Sequence, residues 1–480
     1  MYIRHIIILV FLIFTLWIGG CSYSDSKEQT KPMDSWQKAN EILKDIKAPV
    51  FPDKTFHVSD FGAIADGISD CSKAFKNAID ACHNSGGGRV VVSEGDYLTG
   101  PIYLKSNVNL HLAKGARIMF STNPNDYLPV VHTRWEGVEL MNYSPLVYAY
   151  KEKNIAITGE GILDGQASKE NWWAWHGRTK NGWKEGDPNQ FDPENRPALF
   201  EMCKKGVPVS ERVFGEGHYL RPQFLQPYLC ENVLLQGFTI KNSPMWILHP
   251  VLCNNVIIKG VNVDSRGPNT DGCDPESCKN VLIDNCTFNT GDDCIALKSG
   301  RNEDGHRIDK PIENVIVRNC KMKDGHGGFV VGSEISAGAK NIFVEDCNMD
   351  SPHLTRAIRI KTNSARGGVI EKVYMRNLEV GKVSESLLKI NLFYEDGEGH
   401  EHTPQVKDIW LENVTCKSLR FPLFLLGYED SKISGIKLKN IVIENAKEAS
   451  IIRNVSDITM EDIKIQTSRE VNLWGTVNEK

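Results

Sequence analysis

The chain has 480 residues, of which 41% are hydrophobic and 24% charged, with a formal net charge of −5. That composition is ordinary for a soluble globular protein, and the acidic balance excludes a general nucleic-acid binder, which needs a basic surface. An anionic substrate would have to be met by a local cluster of cations, and a length beyond one average domain fits an elongated all-β unit.

Residues 1–21 read as an export signal. Arg4 and His5 precede the apolar run Ile6–Ile18, which is short for a membrane span. Ile18-Gly19-Gly20-Cys21 resembles a bacterial lipobox, with cleavage before Cys21 and lipid on its thiol. An ordinary signal peptide and an uncleaved anchor are the alternatives. Residues 22–55 are expected to form a tether, the polar stretch Ser22–Pro32 most clearly. The mature protein is expected to be exported and lipid-anchored at the bacterial cell envelope, in the periplasm or on the outer membrane surface.

Behind Asp70, which suits an N-cap, Ala74, Phe75, Ala78, Ile79 and Cys82 fall at helical spacing until Gly86-Gly87-Gly88 stops the run. From Arg89 onward short β runs dominate, and they repeat. Asn followed by Val or Ile opens such a run at Asn107, Asn154, Asn232, Asn255, Asn280, Asn314 and Asn341. The later copies are 23, 25, 34 and 27 residues apart, and NVLIDNC, NVIVRNC and NIFVEDC superimpose. A unit this short cannot bury its apolar face alone, whereas stacked coils can. The repeat predicts an all-β fold, a right-handed parallel β-helix over residues 56–470 with a short N-terminal capping helix. The longer interval after Asn280 holds a corner excursion, and the repeat continues more weakly beyond Val406.

Thirteen cysteines show no CxxC pair and no metal-ligand spacing. Cys286, Cys320 and Cys347 each close a β run and suit stacked, buried core positions; a disulfide such as Cys273–Cys278 is the alternative. Residues 168–225 interrupt the coils with Trp172, Trp173, Trp175 and Trp183 beside His176, Arg178, Lys180 and Lys184. This insertion reads either as a binding-site wall or as a loop packed on its own tryptophans.

The stretch Pro268–Gly300 concentrates acids: Asp271 and Asp292 are 21 residues apart, about one coil, and Asp293 follows directly. Carboxylates stacked at the ~4.8 Å strand spacing cannot all ionise comfortably, so at least one pKa should rise. A protonated acid beside ionised partners is glycosidase equipment. In corresponding places on later coils come Gly325-His326-Gly327 and Arg359-Ile360-Lys361. Arg359 and Lys361, two apart on a strand, face the same way and can bind a uronic-acid carboxylate.

The ordered motifs Asn269-Thr270-Asp271, Gly291-Asp292-Asp293, Gly325-His326-Gly327 and Arg359-Ile360-Lys361 closely resemble those of the polygalacturonases, family 28 of the glycoside hydrolases. The resemblance runs from about Val58 to Asp396, with DFGAIADG, RWEG at Arg134–Gly137 and YEDG at Tyr394–Gly397. It implies inverting hydrolysis of pectic galacturonan. Asp292 would be the general acid, Asp271 and Asp293 the water-activating pair, and His326 the tuner of protonation. Arg359, Lys361, Tyr394 and Asn269 would contact the galacturonate. No metal or cofactor is implied, and the partner is a pectic polysaccharide or oligogalacturonide met by a monomer. The segments Asn242–Pro250 and Gly327–Glu334 resemble members that act from chain ends. Alternatives are cleavage of another pectic linkage, as in rhamnogalacturonan, a calcium-dependent pectate lyase, and a non-catalytic carbohydrate-binding surface protein.

Overall fold

The computed structural model describes residues 35–395 and 397–467; the expected signal segment, Cys21 and the polar stretch to Pro32 lie outside them. Within that range the chain winds as a parallel β-helix, right-handed as parallel crossovers are. Val233, Val256, Val281, Val315, Ile342 and Val373 stack in register on successive coils. Those offsets are the sequence repeat itself. One stack of strands runs from Thr55–His57 to Ile458–Thr467, a second opens with Asp66–Asp70, and a third comprises six strands from Ile295–Leu297 to Ile451–Arg453. Upstream, the third continues as single bridges joining Leu225, Leu248, Cys273 and Ile295.

The repeated asparagines explain the corners. All seven hold left-handed backbone, with φ between 52° and 64°, which Asn tolerates better than most residues. Their amides also form a ladder: Asn232 Nδ2 donates to Asn154 Oδ1 at 2.8 Å, Asn314 to Asn280 at 2.9 Å, and Asn341 to Asn314 at 3.0 Å. Each corner therefore pairs its polar side chain with the next coil.

The residue after each asparagine and the one two further on point inward, and the one between them points outward. On six coils that outward residue is apolar: Ala156, Leu234, Ile257, Leu282, Ile316 and Phe343. Helix α1 (Ser35–Asp45) lies on this stripe, burying Ala39 and Ile42. The tether expected to reach residue 55 thus gives way at Ser35 to a docked helix. The physical reason is the stripe: left bare it would be a continuous apolar patch, and each aliphatic side chain fully buried there contributes about 1.5–3 kcal/mol.

Helix α2 (Ser72–Asn84) buries Ala74, Phe75, Ala78, Ile79 and Cys82 against the first coil, as the periodicity predicts. Asp70 receives the Ser72 amide at 2.9 Å, although Cys71 occupies the cap position. The twelve described cysteines are free and buried. The Cys230 amide donates to Cys253 Sγ and the Cys253 amide to Cys278 Sγ, each at 3.4 Å. Cys273 and Cys278 form no disulfide.

Candidate active site

The third stack of strands carries the site. Cys273 pairs with Ile295 on the next coil, and the Gly272 amide donates to the Asp293 carbonyl at 2.9 Å. This register sets Asp271 beside Asp293, one position away from the expected alignment with Asp292. Asp292 sits on the turn before the strand, at the cavity surface. The turn is tight: a Cβ on Gly291 would come within 2.0 Å of the Gly267 carbonyl. One coil on, Gly325 adopts φ +146° against the Asp292 carbonyl, which accepts the His326 amide at 3.1 Å. The glycines flanking His326 therefore let its backbone lie directly on the acid-bearing turn.

One carboxylate oxygen from each of Asp271, Asp292 and Asp293 lies within 4.8 Å of the others. Asp292 Oδ1 accepts from His326 Nδ1 at 2.9 Å and from the Asp293 amide at 3.0 Å. Asp293 is fully buried; its Oδ2 accepts from Lys361 Nζ at 2.8 Å, and Arg359 Nη1 stands 3.8 Å from its Oδ1. Arg359 and Lys361 project from the strand Arg356–Lys361 and both stand 5.2 Å from the centre of the Tyr394 ring. Asn269 is anchored by Arg221, whose Nη2 donates to its Oδ1 at 2.7 Å.

These contacts divide the acids electrostatically. Burial, then the charges of Asp274 and Asp292, push the Asp271 carboxyl well above the usual carboxylate range, against the pull of Lys298. Burial also opposes ionisation of Asp293, but Lys361 and Arg359 outweigh it and hold that carboxyl at about 2. The hydrogen bond to Asp292, followed by its charge, raises the His326 imidazole. The rise expected somewhere in the cluster falls on Asp271 and on Asp274, an acid that drew no attention in the sequence.

All eight site residues singled out from the sequence converge here. Seven line one cavity of about 810 Å³, and Asp293 lies beneath its floor. The cavity is lined by nine Lys and Arg side chains against five Asp and Glu, so a local cationic surface exists in a chain of net charge −5. The insertion does line the cavity, but Trp172, Trp173 and Trp175 pack on the main core of the coils and not on a core of their own. Trp172 is buried in the main core and packs edge-on to Tyr127 and Trp175. Arg178, Lys180 and Gln190 meanwhile line the cavity with Arg196, the first residue of helix α3 (Arg196–Lys204). His176, buried and facing Arg221, Arg178 and Lys180, is lowered to about 3 and is neutral near pH 7.

Lys298 and Asp274 were not picked out from the sequence, and Trp246 and Glu334 only as members of the segments Asn242–Pro250 and Gly327–Glu334. Lys298 lies five residues after Asp293 and Asp274 three after Asp271, but neither spacing is a motif by itself. The three clustered oxygens have a spacing that a divalent cation can bridge. Lys361, His326 and Lys298 already face them at 2.8, 2.9 and 3.8 Å. The positive charge an ion would bring is supplied by the chain, and we assign no metal there.

The model for glycosyl hydrolases family 28 matches residues 215–469. A hyperthermoactive exopolygalacturonase from Thermotoga maritima is 45% identical with a TM-score of 0.87, over 90% of this chain and 96% of that one. A family 28 exopolygalacturonase from Yersinia enterocolitica is 25% identical with a TM-score of 0.69, over 87% of this chain and 77% of that one. An exo-poly-alpha-D-galacturonosidase from Dickeya chrysanthemi is 26% identical over 389 residues, 76% of this chain and 62% of that protein.

Proposed function

The chain belongs to family 28 of the glycosyl hydrolases, and from that premise we propose that it hydrolyses α-1,4-galacturonosidic bonds of pectic galacturonan from a chain end, with inversion. The observation that carries the reading is the meeting of three carboxylates with Arg359 and Lys361 in one cavity that the insertion helps to line. A water molecule attacks the anomeric carbon and loses its proton to Asp271, with Asp293 orienting it. The glycosidic C–O bond breaks, and the proton held by the Asp292–His326 pair passes to the departing oxygen. Arg359, Lys361 and Tyr394 hold the galacturonate carboxylate.

Spacing and charge point in different directions on stereochemistry. Inverting enzymes usually leave about 6.5–9.5 Å between carboxyl groups and retaining ones about 5–5.5 Å, and the nearest oxygens here are closer still. A retaining enzyme, however, needs a free ionised carboxylate to attack carbon. Asp293 is fully buried and bound to Lys361, while Asp271 is buried with its Oδ2 turned toward Lys298 at 3.8 Å. Neither is a free nucleophile, and the pair together suits a bound water. We give the charge argument the greater weight.

The test is a digest of homogalacturonan followed by product size, viscosity and proton NMR. One short product from the first minutes, slow loss of viscosity and initial release of the β anomer are expected. Mixed oligomers with rapid thinning would reject end-on attack, and an unsaturated product would mark a lyase. Turnover of rhamnogalacturonan in place of homogalacturonan would reassign the linkage. In the same assay, Arg178→Ala with Lys180→Ala should raise KM several-fold with little change in kcat, since both line the cavity from the insertion.

We also propose export and lipid attachment at Cys21, supported by the apolar run before Ile18-Gly19-Gly20-Cys21. Labelled palmitate should be incorporated by the wild type expressed in a bacterial host and not by Cys21→Ser. Equal labelling of the two would sink the assignment.

A further inference from the structure

Beside the carboxylate cluster lies a buried ammonium with more acids around it than a structural ion pair needs. Lys298 is 2% exposed. Its Nζ stands 3.1 Å from Glu334 Oε2, 3.7 Å from Asp274 Oδ1 and 3.8 Å from Asp271 Oδ2. The Trp246 ring closes the remaining side, its centre 4.2 Å from the nitrogen. Four successive coils supply these groups, because Leu248 pairs with Cys273, Cys273 with Ile295, and Gly300 with Ile335.

We propose that Lys298 is a positioning residue for the hydrolysis, an ammonium shared with Asp274 and Glu334 that holds Asp271 in place and ready to accept the proton of water. This rests on the reading of Asp271 as a water-activating group. Glu334 does not depend on Lys298 alone, since Ser333 Oγ donates to it at 3.0 Å and Arg301 stands 3.4 Å away. Asp274 differs. It is fully buried, neither of its oxygens has a hydrogen-bond partner among the described residues, and Lys298 is the cation it faces in an ion pair. Asp271 uses Oδ2 toward Lys298 and leaves Oδ1 without a hydrogen bond to any described residue. A pair serving stability alone would match one acid to one base. Here a second buried acid, 0% exposed, stands beside the first and raises its proton affinity, while the ammonium opposes that rise.

The opposition of Lys298 and Asp274 gives the proposal its test. Asp271 faces Asp274, Asp292, Asp293 and Lys298; Lys298 faces Glu334, Asp274, Asp271 and Asp293. Removing the cation makes Asp271 harder to ionise, and removing the neighbouring anion makes it easier. In kcat–pH profiles on homogalacturonan, Lys298→Met should move the acid limb up by about one unit or more, with KM nearly unchanged. Lys298→Arg should restore much of the wild-type profile, and Asp274→Asn should move the limb down. Acid limbs that stay put, or that move the same way in Lys298→Met and Asp274→Asn, would overturn the proposal. If Lys298→Met does not fold, as judged by near-ultraviolet circular dichroism, the direction of the Asp274→Asn shift decides. An inert wild type would instead overturn the function reading, which is a separate result from an active wild type with unmoved limbs.

Discussion

Asp292→Asn is expected to lower kcat on galacturonan by roughly 10²–10⁴-fold, with the thermal midpoint of unfolding nearly unchanged. The amide keeps the shape of the side chain and an oxygen for the Asp293 amide, which now sits 3.0 Å away. What it lacks is an acidic proton for the departing oxygen. His326 supplies a second readout. The hydrogen bond and charge of Asp292 raise its imidazole, so the variant should titrate that ring at lower pH by NMR. In the wild type, a raised imidazole contributes stability at low pH that fades as pH climbs through its folded pKa. That contribution is small, because the His326 side chain is 56% exposed and solvent screens the pair. Wild-type turnover in Asp292→Asn would reject the hydrolase reading at its centre.

Lys361→Met should be destabilising as well as inactivating. Asp293 is fully buried, and Lys361, 7% exposed, is its closest cation at 2.8 Å. Taking one partner from a buried pair leaves an uncompensated charge and typically costs about 3–5 kcal/mol. Arg359, 3.8 Å away, should keep the loss near the lower figure. The pH dependence follows from the depressed Asp293 carboxyl. Its contribution is present above the ordinary value of 3.8 and is lost as pH falls through about 2. Without Lys361, burial dominates and lifts the folded pKa above the ordinary value, which reverses the sign: the variant is destabilised near neutral pH and recovers part of that loss as pH falls and Asp293 takes up a proton. Urea midpoints at pH 7, 5 and 3 read this directly, and a variant matching the wild type at pH 7 would show that Lys361 does not hold Asp293.

Much of this protein is legible in one dimension because a β-helix is nearly one-dimensional. Each coil touches chiefly the coils before and after it, so the spacing of Asn255, Asn280, Asn314 and Asn341 in sequence is their spacing in the stack. The same logic brings Asp271, Asp292, Asp293, His326, Arg359 and Lys361 together from their order along the chain. Helix α1 was legible in principle too, since VLL, VII, VLI, VIV and IFV each put an apolar residue on the outer face. That signal needs the inward and outward positions to be assigned first, and residues 35–55 alone do not assign them.

The sequence by itself determined the coiling, the order of the motifs and the identity of the acids and bases, because period and residue type are local properties. Only the tertiary structure decided which charges face one another. A one-position difference in register sets Asp271 beside Asp293 and leaves Asp292 on the turn with His326. The tertiary structure also buries Lys298 among Asp271, Asp274 and Glu334, and docks the insertion's tryptophans on the main core while its basic residues line the cavity. Proton affinities depend on burial and on distances of a few ångströms, and those are quantities that a linear spacing of 21 residues does not carry.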